Sequence, residues 1–318
     1  MKIKLLIICI FFFSLLKAQD SHFSQYSIIK SYLNPSLVGY QQEDFQVQLQ
    51  RRSQWASVSK PFTTFSLAIN QKNIINNISW AAQLLNDKAG DSNFSTNGIS
   101  FGISKKNNLS SKNNISAGIL LGYYRRFLDH GSLFFIQNEN IPSYSVNFFD
   151  FSLGVTCEYE LMHNITLLSG VSFFHINNPD QSFFNNKKVR LKNNNKIHSS
   201  LIYYVTPKAQ INPSIYYTNH GEQKEIIFGV NMNYLLTNYI KDRVVLRASV
   251  FNRYNDAIIP MIGFKIDNFD IMISYDVNTS SLINASDYKG GFEFAIIYNW
   301  SIEKNSKNQE KLVCPKYL

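Results

Sequence analysis

Cysteines and charged residues are both scarce in this chain, and each shortage excludes some classes of protein. Only three cysteines occur in 318 residues: Cys9 in an apolar N-terminal stretch, Cys157 within an alternating segment and Cys314 near the end. These positions predict no disulfide, although an export compartment would permit one. Charged residues make up 17%, and the basic residues behind the formal charge of +9 are scattered along the chain. A nucleic-acid-binding protein would concentrate them, so we expect no nucleic acid partner.

Long apolar runs are absent after the N-terminal stretch. A membrane helix needs about 18 to 20 consecutive apolar residues, and no later segment approaches this length. Any membrane crossing must therefore use strands, because only helices and closed barrels satisfy every backbone group in lipid. The N-terminal apolar run, Leu5–Leu16, follows Lys2 and Lys4 and ends shortly before Ala18. This arrangement predicts a secretory signal peptide at residues 1–18, and hence export.

The remaining sequence alternates apolar and polar side chains in segments separated by turns rich in Asn, Ser, Gly and Lys. In the first segment Phe45, Val47 and Leu49 alternate with three glutamines. Such alternation places one side-chain set on each face of a strand. A strand with its turn takes roughly 20 residues, so about fourteen strands use the mature length. The predicted strands are 44–51, 62–70, 78–86, 94–104, 112–125, 147–160, 163–175, 196–206, 210–219, 225–236, 242–252, 256–266, 268–276 and 289–300.

Connection lengths favour a barrel over a sandwich, which parity alone cannot do. Connections after odd-numbered strands include the longest, near 127–146, 176–195 and 277–288, whereas that near 267 is very short. Bacterial outer-membrane barrels have long extracellular loops and short periplasmic turns. The aromatic content of 14% suits the interfacial belts of such a barrel. We therefore predict an all-β fold: an antiparallel transmembrane β-barrel of the outer-membrane type with about fourteen strands.

The barrel assignment divides the chain into four regions. The segment 19–43 has neither helical nor strand periodicity and contains Asn34, Pro35 and Gly39. It is predicted to be either a periplasmic lead-in to the first strand or a plug across the barrel mouth. The four regions are a signal peptide at 1–18, the lead-in or plug at 19–43, the barrel at 44–300 and a periplasmic tail at 301–318.

Both ends of the mature chain resemble one protein family. The stretches that carry the resemblance are Gln19, Asp20 and His22 to Tyr26; Tyr32 to Leu37 with Gly39; Arg51, Arg52, Gln54 and Trp55 with Pro61 to Thr64; Ser274 to Leu282; Gly290 to Glu293; and Cys314 with Pro315. They are similar to the PorP/SprF family, the Bacteroidota outer-membrane family associated with type IX secretion and gliding motility. The resemblance implies an integral outer-membrane protein that helps secrete, or retain at the surface, large proteins bearing a C-terminal sorting domain. The middle, about 70–265, resembles the family only in its alternation.

No catalytic, cofactor or metal site is predicted. The six histidines lack zinc-motif spacing, and no nucleophile elbow or other serine signature is present. Asp276, Asn278, Ser280, Asn284 and Asp287 concentrate oxygen atoms in one loop. They lack EF-hand order and its bidentate Glu, so a turn held by Asn, Asp and Ser side chains is preferred to a calcium site.

A row of arginines on the eleventh strand is the most suggestive charged feature. Arg243, Arg247 and Arg253 all occupy odd-numbered positions and therefore lie on one face of the strand. The other face is apolar and would contact lipid, so the arginines are predicted to point into the lumen. Two interpretations stay open, namely binding of an acidic partner or solute and, preferred, pairing with luminal carboxylates such as those of Asp150, Glu158 and Glu160. The candidate partner-binding or luminal residues are Arg51, Arg52, Trp55, Arg243, Arg247, Arg253, Tyr275, Asp276 and Asn278.

We predict a non-enzymatic, monomeric outer-membrane barrel associated with type IX secretion. Its expected partners are a large surface protein with a C-terminal sorting domain, periplasmic secretion or gliding components, and outer-membrane lipid. The main alternative is a passive diffusion channel for small solutes, because a fourteen-strand barrel leaves a lumen unless something fills it. A soluble, periplasmic all-β protein ranks third.

Overall fold

Antiparallel strands make up most of the computed structural model, which describes residues 22–54, 60–90, 94–128, 143–184, 189–239, 242–280 and 289–302. A short helix, α1 (Lys30–Leu33), and a 3₁₀ turn (Pro35–Leu37) precede the strands. The strands within the described ranges are β1 (Phe45–Gln54), β2 (Phe62–Ile75), β3 (Ile78–Ala89), β4 (Phe94–Asn108), β5 (Asn113–Leu128), β6 (Tyr144–Met162), β7 (Ile165–Phe174), β8 (Asn194–Thr206), β9 (Ala209–His220), β10 (Gln223–Tyr239), β11 (Asp242–Arg253), β12 (Ala257–Ile266), β13 (Phe269–Asn278) and β14 (Lys289–Trp300).

The strands close into one barrel, and the predicted fold class is confirmed. Each strand pairs with its sequence neighbours, and β1 pairs antiparallel with β14 to complete the ring. The closing register runs from Phe45 opposite Trp300 to Gln54 opposite Gly291. Closure leaves no edge strand, which lipid would not tolerate. Within the described ranges no helix is long and apolar enough to cross a membrane.

The two rims of the barrel differ in their connections. Tight turns join β2 to β3, β6 to β7, β8 to β9 and β12 to β13 on the rim where β1 begins and β14 ends, here called the short-turn rim. Asn76 and Asn77 both adopt positive φ, 50° and 63°, as a two-residue hairpin turn requires. The opposite, long-loop rim carries the longer connections 129–143, 175–193 and 279–288. In outer-membrane barrels the rim with long loops is extracellular.

Side-chain alternation sorts the two faces as the sequence predicted. Phe149, Ile99 and Phe292 are among the large apolar side chains that face outward and stay exposed on the isolated chain, as a lipid-facing band should. Gln48 and Gln50 on β1 point into the lumen and are buried. Rings also gather at the short-turn end of the closing strands, where Phe45 stacks on Trp300 with centroids 5.1 Å apart. An aromatic girdle is typical of the membrane interface.

Candidate functional site

Residues 22–43 lie inside the barrel and are called the luminal segment. Ile29, Leu33 and Leu37 from this segment are buried in one apolar cluster with inward-facing wall residues such as Ile227 and Phe251. Burial of such side chains contributes roughly 1.5–3 kcal/mol each. The apolar centre of the barrel is therefore built partly from the segment and partly from the wall.

Local sequence gives the segment its compact turn. The side-chain oxygen of Asn34 accepts a hydrogen bond from the Ser36 amide at 3.0 Å, and Pro35 occupies the first position of the 3₁₀ turn. Asparagine as the cap and proline next to it are the residues that start a helical turn best. Gly118 on β5 faces this turn, and a Cβ there would overlap the Pro35 carbonyl. Glycine thus lets the segment backbone lie directly against the wall.

Polar side chains tie the middle of the segment to β4, β6 and β7. Asn34 donates to the carbonyls of Val155 and Val171, each at 3.1 Å. The hydroxyl oxygens of Ser36 and Thr156 are 2.6 Å apart. The hydroxyls of Ser172 and Ser104 donate to the carbonyls of Leu33 and Val38. Buried backbone carbonyls of an irregular segment need such donors, and the polar luminal face supplies them.

At the long-loop end of the lumen, the start of the segment meets a buried charged group that we call the outer-mouth cluster. Arg52 on β1 pairs with Asp276 on β13 at 2.7 Å and with Glu293 on β14 at 3.0 Å. Arg253 on β11 also pairs with Asp276, at 3.1 Å. The members of the cluster are Ser24, Gln25, Arg52, Arg253, Asp276 and Glu293, all buried.

The cluster binds the segment through both backbone and side chain. The two carboxylate oxygens of Glu293 accept hydrogen bonds from the consecutive amides of Ser24 and Gln25, at 2.8 and 2.9 Å. The Ser24 hydroxyl donates to Asp276 at 2.8 Å and accepts from Arg253 at 2.7 Å and from Arg52. Because buried charged groups are costly without partners, the segment stabilises this network by supplying hydrogen-bond partners that the wall alone does not provide.

The other end of the segment is fixed at the short-turn rim. Glu43 accepts from Lys265 of β12 at 2.9 Å. Burial raises the pKa of Glu43, but the hydrogen bond from Lys265, a backbone hydrogen bond and the charges of Lys265 and Lys30 together lower it by more, so the pKa of the carboxyl lies below its usual range. The backbone amide of Asp44 donates to the Ser301 hydroxyl just beyond β14. The segment is therefore held at both rims.

The structure brings some of the predicted site residues together and separates others. Arg52, Arg253 and Asp276 meet in the outer-mouth cluster, whereas Arg247 forms a separate pair with Asp270 at 2.7 Å. Arg243, Arg51 and Tyr275 are exposed, and Asn278 is buried. Trp55 lies outside the described residues. A role of these residues in partner binding stays a prediction.

The carboxylates expected to pair with the arginine row were wrongly assigned. Asp150 faces His175 at 2.9 Å and Glu158 faces Lys106 at 3.2 Å, both far from β11. Glu160 lies with them on β6, which is five strands away around the barrel. Parity predicts which face a side chain occupies but says nothing about which strand stands opposite. The actual partners include Asp270, Glu225, Asp256 and Asp276.

Sequence reasoning also missed the groups that join segment and wall. Ser24, Gln25 and Glu293 contribute to the family resemblance but were not predicted to form a site. The signal that could have found Glu293 is a carboxylate on the luminal parity of a strand whose other face is aromatic.

The described residues contain no group of three His, Cys, Asp or Glu side chains that could hold a metal ion. Within the oxygen-rich loop, Asp276 is committed to two arginines, while Asn284 and Asp287 lie outside the described residues. Cys157 is a free, exposed thiol, and Cys314 lies beyond the described part of the chain.

Known structures share this architecture. The toluene transporter TbuX of Ralstonia pickettii is 10% identical, with 83% of this chain and 91% of that chain covered and a TM-score of 0.52. A deltaS2 mutant of the TodX monoaromatic hydrocarbon channel is 9% identical, with 85% and 93% covered and a TM-score of 0.51. At this identity the similarity shows the fold alone. No curated protein matches the chain.

A family profile described as "Type IX secretion system membrane protein PorP/SprF" matches residues 15–298. The match spans the luminal segment, β1 to β13 and most of β14. It agrees with the closed outer-membrane barrel and with the resemblance at both ends of the mature sequence. The chain belongs to the PorP/SprF family of type IX secretion system membrane proteins.

Proposed function

We propose that this outer-membrane barrel helps secrete, or retains at the cell surface, a large protein bearing a C-terminal sorting domain. The observation that carries the proposal is the occupied lumen. The luminal segment packs against the wall from the outer-mouth cluster to the Glu43–Lys265 pair. A barrel of this kind offers its extracellular surface to a partner rather than its lumen to a solute.

The occupied lumen counts against the diffusion-channel alternative. A fourteen-strand barrel is wide enough to leave an aqueous path unless something fills it. Here Gln48 and Gln50 bond the segment carbonyls of Ile28 and Gln25, and Ile29 and Leu37 fill the centre. A wide aqueous path through this part of the lumen would require these contacts to break.

The long-loop rim supplies a surface for the partner. In the connection between β7 and β8, Phe183 packs on Phe94 and Tyr144, with centroids 6.3 and 6.4 Å away. The neighbouring Phe184 packs one side of its ring on Tyr144, with centroids 4.7 Å apart, and stays 55% exposed. Exposed aromatic groups on a fixed support are common anchors in protein interfaces. The short-turn rim, with the tail at 301–318, is proposed to face periplasmic secretion or gliding components.

A clean deletion of the gene tests the proposal, with quantitative comparison of surface and medium proteins against the parent strain. Loss of one large surface protein would support a dedicated role, and loss of all cargo bearing the sorting domain would support a role in the core machinery. An unchanged profile would overturn the proposal. Steady single-channel conductance of the purified barrel, without a copurifying large protein, would instead support the diffusion channel.

A further inference from the structure

An open groove lies on the outer face of the barrel, across β3 and β4 and close to the long-loop rim. Leu84 and Ile99 form its floor and stand opposite each other in the strand register. Phe65 of β2 and Tyr123 of β5 form its two walls. All four side chains are between 36% and 53% exposed. The groove has a volume of about 410 Å³, so the lipid-facing surface is concave at this point.

The polar atoms of the groove lie at the end nearer the long-loop rim. Asn86 and Asn97 stand opposite each other two residues closer to this rim than the apolar floor, and Arg125 stands opposite Asn97 on the next strand. The guanidinium group of Arg125 lies over the Phe127 ring, 5.9 Å from its centroid, and donates to the Ser145 hydroxyl at 3.4 Å. The groove is therefore apolar toward the membrane centre and polar toward the membrane surface, as a lipid molecule is.

Positive charge at this part of the rim has no acidic counterpart on the outer face. Arg51, Lys88 and Arg125 are exposed at outward positions near the long-loop rim. None of them takes part in an ion pair within the described residues. The outward positions of β1 to β6, as far as the structure describes them, hold no Asp or Glu. A cation on the lipid face is costly at the membrane centre but not near the interface, where it attracts anionic headgroups.

We propose that this groove binds a phosphorylated glycolipid of the outer leaflet. Lys88 and Arg125 bind the phosphate, because ammonium and guanidinium groups form charge-assisted hydrogen bonds with phosphate oxygens. The acyl chains lie along Leu84 and Ile99. The long-loop rim is the extracellular one, so the lipid comes from the outer leaflet. The site concerns the lipid face of the barrel and is independent of the cargo in the proposed function.

The two amides of the groove favour a glycolipid over a glycerol phospholipid. Asn86 donates its amide to the side-chain oxygen of Asn97. This bond leaves the Asn86 oxygen as an acceptor and the Asn97 amide group as a donor. Sugar hydroxyls can satisfy both, because a hydroxyl donates and accepts. The ester groups of a glycerol phospholipid accept only, so they would leave the Asn86 oxygen without a donor.

Native mass spectrometry of the full-length mature barrel, delipidated by detergent exchange, tests the site. Monophosphoryl lipid A is the probe and should bind saturably, with one molecule per barrel. Phosphatidylglycerol, which carries one phosphate but no sugar, should bind more weakly. Lys88→Gln with Arg125→Gln should weaken lipid A binding about thirtyfold, roughly fivefold for each cation. Lys105→Gln is the control and should not weaken it, because Lys105 is exposed on the outer face of β4 near the short-turn rim.

A second pair of variants tests the groove itself. Ile99→Trp places a large ring on the groove floor and should displace the acyl chains. The control is Ile103→Trp, because Ile103 is 40% exposed on the same face of β4 but lies outside the groove. Both variants keep an apolar side chain toward lipid. Heat-modifiability on gels checks that each barrel is folded.

Three results would overturn the proposal. Unchanged lipid A binding in the folded charge variant or in the folded Ile99→Trp variant would remove the site. Equal binding of phosphatidylglycerol would show that the groove does not recognise a glycolipid. A barrel dimer that forms without lipid A and dissociates in Ile99→Trp would assign the groove to a second copy of this chain.

Discussion

Arg52 of β1 reaches across β14 to pair with Asp276 of β13, with nitrogen and oxygen 2.7 Å apart and both side chains buried. Glu293 of β14 stands between them, opposite Arg52 in one register and opposite Ser274 in the next. Closure of the barrel thus brings together groups that lie 224 and 241 residues apart in the chain. The closing strands and the luminal segment share one network of hydrogen bonds and ion pairs. The stability of barrel closure should therefore be coupled to the binding of the segment in the lumen.

Replacing Arg52 should destabilise the barrel strongly. Arg52→Gln removes a positive charge that pairs with the buried carboxylates of Asp276 and Glu293. Breaking a buried ion pair costs about 3–5 kcal/mol of stability. Arg51→Gln is the matched control, because Arg51 is exposed on the outer face one residue away and should change stability by less than about 0.5 kcal/mol. Thermal unfolding in detergent measures both. Equal stability of the two variants would show that the cluster contributes little.

A disulfide should form between the segment and the wall. Ser36 and Thr156 hold their oxygens 2.6 Å apart, so cysteines there can reach the sulfur separation of about 2.05 Å. We expect Ser36→Cys with Thr156→Cys to oxidise spontaneously, in a background lacking Cys157 and Cys314. The control pair combines Ser36→Cys with Ser199→Cys on the outer face and should remain reduced. Mass spectrometry of the linked peptides distinguishes the two, and free thiols in the first pair would place the segment elsewhere.

The fold could be predicted from the sequence because its cause is local. Alternation within each strand is set by lipid on one side and a polar lumen on the other, and turn residues such as Asn76 and Asn77 mark the hairpins. The strand predicted at 147–160 appears as Tyr144–Met162. Boundaries shift by a few residues because strand ends extend beyond the membrane, where alternation is no longer enforced.

The contacts across the lumen could not be predicted, because they depend on shear and on an irregular segment. Asn34 has no periodic signal, yet it bonds carbonyls on two strands more than one hundred residues away. Parity predicted only the face of Arg253, which is buried in the structure. Its partner Glu225 follows from the neighbouring strand and its register. Which side chains pair across the lumen depends on how the barrel closes in three dimensions, and the alternation of apolar and polar residues does not predict this.

A side chain at position 118 should disturb the packing of the luminal segment against the barrel wall. Gly118→Val places atoms where the Pro35 carbonyl lies, and overpacking costs roughly 1–3 kcal/mol. Displacement of the segment should raise ion conductance in planar bilayers. Ala117→Val is the control, since Ala117 faces outward on the same strand. A Gly118→Val barrel as stable and as closed as the control would show that the segment does not limit passage.

The Arg247–Asp270 pair should behave as a structural pair rather than as an anion site. Arg247→Glu sets a like charge beside the buried Asp270 carboxylate and should lower stability by roughly 1–3 kcal/mol, less than for a fully buried pair. The swap Arg247→Asp with Asp270→Arg should recover most of the loss. Conductance and cargo retention should not change in either variant. Altered anion passage with unaltered stability would favour the solute-binding interpretation.

Loss of one aromatic side chain from the long-loop rim should weaken retention of the surface partner. Phe184→Ser removes a 55% exposed ring that also packs on Tyr144, with centroids 4.7 Å apart. Because Phe183 keeps its contacts with Phe94 and Tyr144, residues 183–184 should stay in place while the interface loses an anchor worth about 2 kcal/mol. That corresponds to a roughly thirtyfold weaker complex. Leu109→Ser is the control, because Leu109 is 62% exposed in a short turn on the opposite rim. Quantitative proteomics of intact cells compares the two, and equal retention would move the partner surface away from the connection between β7 and β8.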